Sequence, residues 1–317
     1  MEESTKTIHD MDEKQYEITV SIQCLVYNHE PYLRQCLDGF VMQKTNFKFE
    51  AIVHDDASTD GSAVIIREYA EKYPDIIKPI FEVENQYSKR DGSLDRIMHD
   101  ACRGKYIAIC EGDDYWIDPL KLQKQVDIMI QDQSIGVCYT RAMVFYQETS
   151  SFAKEIGGEK FLGFKSQLLR EPIMTLTTMY KSDLYNRYLS EIEPNKRNWL
   201  MGDTPMWLWF SMNSQIFFLE DITSVYRVLI NSASHSTDYR KQFEYHKSLL
   251  DIRLFFASKY CADDNIIQRD IYNDFHRRNM RAALMTNNIC EYYNECKCLS
   301  DRTLKDWLRP VYYLCRY

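Results

Sequence analysis

Two rhythms of apolar positions alternate along the first half of the chain. Short runs rich in β-branched and apolar residues predict buried strands: "ITVSIQCLVYN" (18–28), "FEAIVHDD" (49–56), "IIKPIFEV" (76–83), "KYIAIC" (105–110) and "IGVCYTRAMVFY" (135–146). Between them lie segments with apolar residues at helical spacing. In "EPYLRQCLDGFVMQ" (30–43) the stripe is Leu33, Cys36, Leu37, Phe40 and Val41, and Pro31 suits a first helical turn, where its missing N–H is no loss. "STDGSAVIIREYAEKYP" (58–74) reads as a helix with Ser58, Thr59 and Asp60 as capping candidates and Pro74 at its end. "SLDRIMHDACRG" (93–104), closed by Gly104, and "DPLKLQKQVDIMIQD" (118–132) complete the set.

Strands alternating with amphipathic helices predict right-handed βαβ units and an α/β fold with a mainly parallel central sheet flanked by helices. In such sheets ligands gather beyond the carboxyl ends of the strands. Tyr27–Asn28, Asp55–Asp56 and Asp113–Asp114 all fall at predicted carboxyl ends. After about residue 142 the pattern loosens. "TLTTMYKSDLY" (175–185) predicts a short strand and turn, "GDTPMWLWFSMN" (202–213) a helix starting near Asp203, and "ITSVYRVL" (222–229) a strand. From about Asp238 onward the chain reads as helical. The expected organisation is an N-terminal arm over 1–17, a domain over 18–237 with two halves (18–118 and 119–237), and a helical C-terminal extension over 238–317.

Composition narrows the function classes. A formal net charge of −8 argues against a nucleic-acid partner, which normally meets a basic face. An acidic protein that handles phosphates needs positive charge from elsewhere, and a divalent cation is the natural source. The ten cysteines include no CxxC pair; Cys296 and Cys298 form a CxC without a histidine at zinc-ligand spacing, so the thiols read as reduced, cytoplasmic and apolar in role. The polar, acidic start has neither the basic residues nor the apolar stretch of a secretory leader, and no window approaches the length of a membrane span.

The chemistry concentrates in four places. Tyr27 offers an aromatic face at a strand end, and Asp56 a carboxylate that could accept the imide N–H of uracil. "EGDDYW" (111–116) crowds Glu111, Asp113 and Asp114 together, an arrangement that suits a hard cation bridging carboxylates to a diphosphate, and equally a solvated turn. Asp203 in "MGDTPMW" reads either as a helix cap or as a general base beside an acceptor hydroxyl. In "VYRVLINSASHS" (225–236), Arg227 and His235 are candidate phosphate contacts or parts of a loop.

The ordered blocks "VSIQCLVYNHEPYLRQCL", "EAIVHDDASTDGS", "GKYIAICEGDDYW" and "MGDTPMW" resemble the signatures of family 2 glycosyltransferases, inverting enzymes of the GT-A (Rossmann-like) fold. The resemblance covers about residues 18–236 and implies roles for particular residues. Tyr27 and Asn28 with Asp56 would hold the nucleotide base, Asp113 the ribose, Asp114 a Mn²⁺ or Mg²⁺ ion, and Asp203 would be the catalytic base. Arg96 lies near the basic position of a segment that departs from the family pattern, and "MGD" replaces the commoner "ED" form. Glu30, Trp116, Arg227 and His235 are further candidates for phosphate or acceptor contacts. The implied activity is transfer from a nucleotide sugar, UDP-linked by the Asp56 reading, to a glycan or lipid-linked glycan acceptor in bacterial surface polysaccharide or lipopolysaccharide assembly. A sugar-nucleotide sensor or assembly subunit on the same fold would have no use for Asp203. A dehydrogenase would need a GxGxxG after the first strand, and a nucleotidyltransferase a glycine-rich loop there; neither occurs.

The tail "LKDWLRPVYYLCRY" mixes aromatic and basic residues. That mixture suits packing on its own domain or on a second copy through the C-terminal helices, or contact with the inner face of a membrane.

Overall fold

The computed structural model describes residues 17–230 and 238–314, with side chains described through residue 310. In chain order the elements are β1 (Val20–Val26), α1 (Glu30–Val41), β2 (Phe49–Asp55), α2 (Ser62–Lys72), β3 (Ile77–Phe81), α3 (Ser93–Ala101), β4 (Tyr106–Ile109), β5 (Tyr115–Trp116) and α4 (Lys121–Gln131). There follow β6 (Ile135–Tyr146), β7 (Ser151–Phe152), α5 (Phe164–Gln167), β8 (Met179–Lys181), α6 (Ser182–Ile192), α7 (Asp203–Asn213) and β9 (Gln215–Val228). The C-terminal region is α8 (Tyr239–Tyr260), α9 (Asn265–Met285), α10 (Ile289–Cys298) and α11 (Leu304–Leu314).

The strands form one sheet in the order β3-β2-β1-β4-β8-β6-β9-β5, with β7 paired to β6. From β3 through β4 the pairing is parallel. β8 then runs antiparallel between β4 and β6, and β5 antiparallel to β9. This is the mainly parallel, helix-flanked sheet expected from the alternating pattern, with a GT-A-like mixed half added.

Both faces of the sheet are covered at β1, β2 and β4, which are buried nearly throughout, whereas β3 and the first half of β9 alternate with exposed residues. Side chains still divide by parity. Tyr106 and Ala108 of β4 enter the core with α1, α2 and α4, while Ile107 between them enters the core with α6, α7 and α8. Helices α8 and α9 of the C-terminal region take part in this second core. Leu249, Ile252 and Phe256 of α8 share a core with Trp207–Phe210 of α7, and the Leu200 main-chain N–H donates to Ser248 Oγ at 2.8 Å.

Two differences from the sequence reading have plain causes. Helix α6 starts inside the segment expected as a short strand and turn (175–185) and continues to Ile192, and its apolar stripe is narrow: Leu184, Tyr188 and Ile192, four apart, are its buried residues. In the tail, Trp307 stacks on Tyr293 with ring centroids 5.5 Å apart, so this aromatic packs on its own chain. Among the described residues no helix is long and apolar enough to cross a membrane.

Candidate active site

Parallel register brings the expected residues to one edge of the sheet. Val26 pairs with Asp55, and the Asp56 main-chain N–H donates to the Val26 carbonyl at 2.9 Å, which sets Tyr27 and Asp56 side by side. Beyond β4 the chain continues the ladder: Cys110 N–H donates to Gln23 and Gly112 N–H to Leu25, at 3.0 and 2.9 Å. Gly112 has to be small, since a Cβ there would meet His29 Nδ1 at 2.8 Å and Val26 Cγ2 at 3.0 Å. The turn that follows carries Asp113 and Asp114 and closes into β5.

Carboxylate oxygens of Glu111, Asp113 and Asp114 all lie within 4.8 Å of one another. Burial, then the neighbouring Asp113, pushes the Asp114 carboxyl well above its ordinary range. Glu111 stands open to solvent, yet the surrounding walls and the charges of Asp113 and Asp203 push it up to about 7. Three hard oxygen donors that repel one another are a fitting donor set for Mg²⁺ or Mn²⁺.

Glu111, Asp114 and Asp203 line one cavity of about 630 Å³. Asp203 is the first residue of α7; Thr175 Oγ1 donates to its Oδ2 at 3.0 Å, and the Thr204 main-chain N–H donates to Oδ1 at 2.7 Å. Burial raises its pKa against these two hydrogen bonds, which leaves a more basic carboxylate fixed in one orientation. Tyr226 of β9 and Tyr245 of α8 also line it, and Tyr245 comes from the C-terminal helices, for which the sequence offered no motif.

The other candidates fall into distinct places. Tyr27 is exposed (48%) beyond β1. Asp56 is buried, and its two oxygens accept the main-chain N–H groups of Gln86 and Tyr87 at 2.6 and 3.1 Å. It thereby holds the turn that brings Tyr87 to the cavity wall. Asn28, with φ of 56°, uses Oδ1 to accept the Thr59 N–H at 2.8 Å. Arg96 is exposed on α3, where Nη1 reaches the Asp91 carbonyl at 3.4 Å, and it does not line the cavity; its neighbour Asp95 does. His235 lies outside the described residues.

Three of the expected phosphate or acceptor contacts have partners within the protein. Trp116 is core: its Nε1 donates to the Leu176 carbonyl at 2.9 Å, and Phe40 meets its ring at 5.0 Å. Glu30 belongs to a reciprocal latch, in which Oε2 accepts the Gly61 N–H at 2.8 Å while its own N–H donates to Asp60 Oδ2 at 3.0 Å. Arg227 is buried, and its Nε, Nη1 and Nη2 each donate once, to the Asp113 carbonyl, Gln147 Oε1 and Gln35 Oε1, at 2.7, 2.5 and 2.7 Å. Its main-chain N–H donates to Asp114 Oδ1 at 2.7 Å. It is a positioning residue for the acidic turn, and the sequence signal for it was only that an arginine sits in an apolar strand.

The chain belongs to glycosyl transferase family 2, whose family model matches residues 21–190. It is 34% identical over 230 residues to an uncharacterized protein of Mycobacterium tuberculosis, covering 71% of this chain and 64% of that one, so it spans a little under two thirds of that relative. A Bacillus subtilis protein named for teichuronic acid biosynthesis, TuaG, is 28% identical over half of this chain and 61% of its own. Among solved structures, the Pyrobaculum calidifontis mannosyltransferase PcManGT in complex with GDP-Man and Mn²⁺ aligns over 96% of this chain and 82% of its own, with a TM-score of 0.58 at 17% identity. S. aureus TarS 1–349 in complex with UDP-GlcNAc aligns over 88% and 89%, with a TM-score of 0.53 at 14% identity. At these identities the structures establish the fold.

Proposed function

We propose that the protein is an inverting, metal-dependent glycosyltransferase that moves a sugar from a UDP-linked donor to a hydroxyl of a glycan or lipid-linked glycan acceptor. The observation that carries this reading is that Asp114 and Asp203, far apart in sequence, line the same cavity. Tyr27 stacks on the base, and Asp56, whose oxygens each have a lone pair beyond the one used by the loop, accepts from the uracil imide. Asp113 receives the ribose hydroxyls.

Asp114, with Asp113 and Glu111 beside it, would hold Mn²⁺ or Mg²⁺; such an ion supplies positive charge to offset the charge that develops on a departing diphosphate. Asp203 accepts the proton of the acceptor hydroxyl as its oxygen attacks the anomeric carbon from the face opposite the leaving group, so the configuration inverts. The hydrogen bonds from Thr175 and Thr204 fix the carboxylate, and burial makes it the stronger base. A double displacement would need a nucleophilic carboxylate at the anomeric face, for which the sequence has no motif. The family, together with the TuaG likeness, supports a place in surface polysaccharide assembly.

The test pairs two readouts on Asp203→Asn. UDP binding with Mn²⁺ is expected to stay within about twofold of wild type, while metal-dependent donor turnover falls by about a hundredfold or more. Turnover at the wild-type rate would remove Asp203 as the base. A wild-type protein that binds UDP and turns over no donor or acceptor would instead be a sensor.

A further inference from the structure

Five carboxylates line the cavity of the proposed metal site and base: Asp95 of α3, Glu111, Asp114, Glu171 and Asp203. They come from four separate stretches of the chain, so the charge stands on several walls rather than on one turn. Asp95, Glu111 and Glu171 are exposed and Asp203 is half-buried, which leaves all four open to a ligand. Among the described residues, no lysine, arginine or histidine lines this space. Two arginines that do not line it hold Glu171: Arg278 Nη2 lies 3.3 Å and Arg253 Nη2 3.7 Å from its carboxylate. The same two bind Asp274, at 2.7 and 2.5 Å, so two guanidiniums meet two carboxylates and their charge is balanced.

A cavity of about 630 Å³ is about 10 Å across, no wider than the screening length in ~0.1 M salt, so a charge anywhere inside it feels every wall. In the nucleotide-sugar reading the transferred sugar sits among these groups, its anomeric carbon between the diphosphate at Asp114 and the base Asp203. A divalent ion and a diphosphate carry opposite double charges, so the pair leaves the charge of the walls in place. A neutral hexose brings a hydroxymethyl group at C6, whose O–H donates to an ionised carboxylate. A hexuronic acid brings a carboxylate there, which only accepts and which repels the others.

We propose that this cavity selects nucleotide donors of uncharged hexoses against donors of hexuronic acids. This inference rests on the nucleotide-sugar reading of the cavity and names the sugar class which that reading leaves open. The selection works by exclusion. One wall carboxylate about 8 Å from the sugar's own costs roughly tenfold in affinity. No contact with a particular residue is needed, because the charge is spread over several walls.

The experiment is calorimetric titration of the full chain in Mn²⁺ at about pH 8, where Glu111 is ionised, with UDP and two matched pairs of donors. The pairs are UDP-glucose with UDP-glucuronic acid and UDP-galactose with UDP-galacturonic acid. In each pair wild type should bind the neutral donor about tenfold or more tightly in low salt, and the ratio should shrink to about threefold in ~0.5 M KCl. Asp95→Asn and Glu171→Gln should each reduce the low-salt ratio about threefold, while affinity for UDP changes less. Asp95→Asn, at an exposed position, serves where the Glu171 variant does not fold. A ratio within about twofold in either pair overturns the selectivity. So does a ratio that neither salt nor either variant moves, since that is exclusion by shape; the nucleotide reading stands in both cases. Failure of UDP itself to bind overturns the nucleotide reading and this inference with it.

Discussion

The main-chain N–H of Arg227 donates to Asp114 Oδ1 at 2.7 Å, and its Nε donates to the Asp113 carbonyl at 2.7 Å. One residue of β9 thus grips both acids of the turn, one by its backbone and one by its side chain. Faces of Tyr32, Tyr115 and Phe145 surround the guanidinium at 4.8, 5.3 and 5.6 Å. The arrangement preorganises carboxylates that would otherwise repel one another.

Arg227→Lys keeps the charge and loses the planar fork that reaches Gln35, Gln147 and Asp113 together. It should destabilise the fold by about 2 kcal/mol, because a desolvated charge loses hydrogen bonds. Mn²⁺ affinity should fall with it. Chemical denaturation and metal titration check the two effects separately, and a variant with wild-type values for both would deny Arg227 its positioning role.

Tyr27 is exposed at the end of β1, where its ring is open to a stacking partner. Tyr27→Ala should weaken UDP binding about tenfold, and Tyr27→Phe should leave it nearly intact, since stacking needs the ring and not the hydroxyl. Equal affinities for wild type and Tyr27→Ala would place the base elsewhere.

Lys121 is fully buried, with Nζ 4.3 Å from the Trp116 ring centroid and 2.7 Å from Gln125 Oε1. Burial brings its pKa down from 10.5 to about 7. Between those values the unfolded chain binds a proton that the folded chain does not, so this group makes stability rise with pH. Lys121→Met should therefore exceed wild type in stability most clearly near pH ~6.5, with the margin shrinking toward pH ~9.5. Thermal melts across that range check the sign; a margin that grows with pH would contradict it.

The parts of this fold that were legible in the sequence are those in which one local pattern has one outcome. Buried parallel strands and amphipathic helices write their periods directly, and the acids of 111–114 announced themselves by crowding. Roles that depend on a distant partner were not legible. Trp116 and Glu30 neighbour the site in sequence, but packing on Phe40 and a latch to Gly61 decide what they do. Arg227 reads as a candidate phosphate contact, and its hold on Gln35 and Gln147, 192 and 80 positions away, is visible only in the fold. Tyr188 lies on a helix whose apolar stripe is too narrow to stand out, and Tyr245 reaches the cavity from a region with no motif at all.

The central claim is that Asp114, with Asp113 and Glu111, grips a divalent ion in the cavity that Asp203 also faces. The most direct measurement is an anomalous difference map from crystals grown with Mn²⁺ and UDP. One strong peak is expected within about 2.5 Å of a carboxylate oxygen of this turn, beside the bound diphosphate. Diphosphate bound in that cavity with no manganese at the turn, or manganese bound elsewhere on the chain, would contradict it.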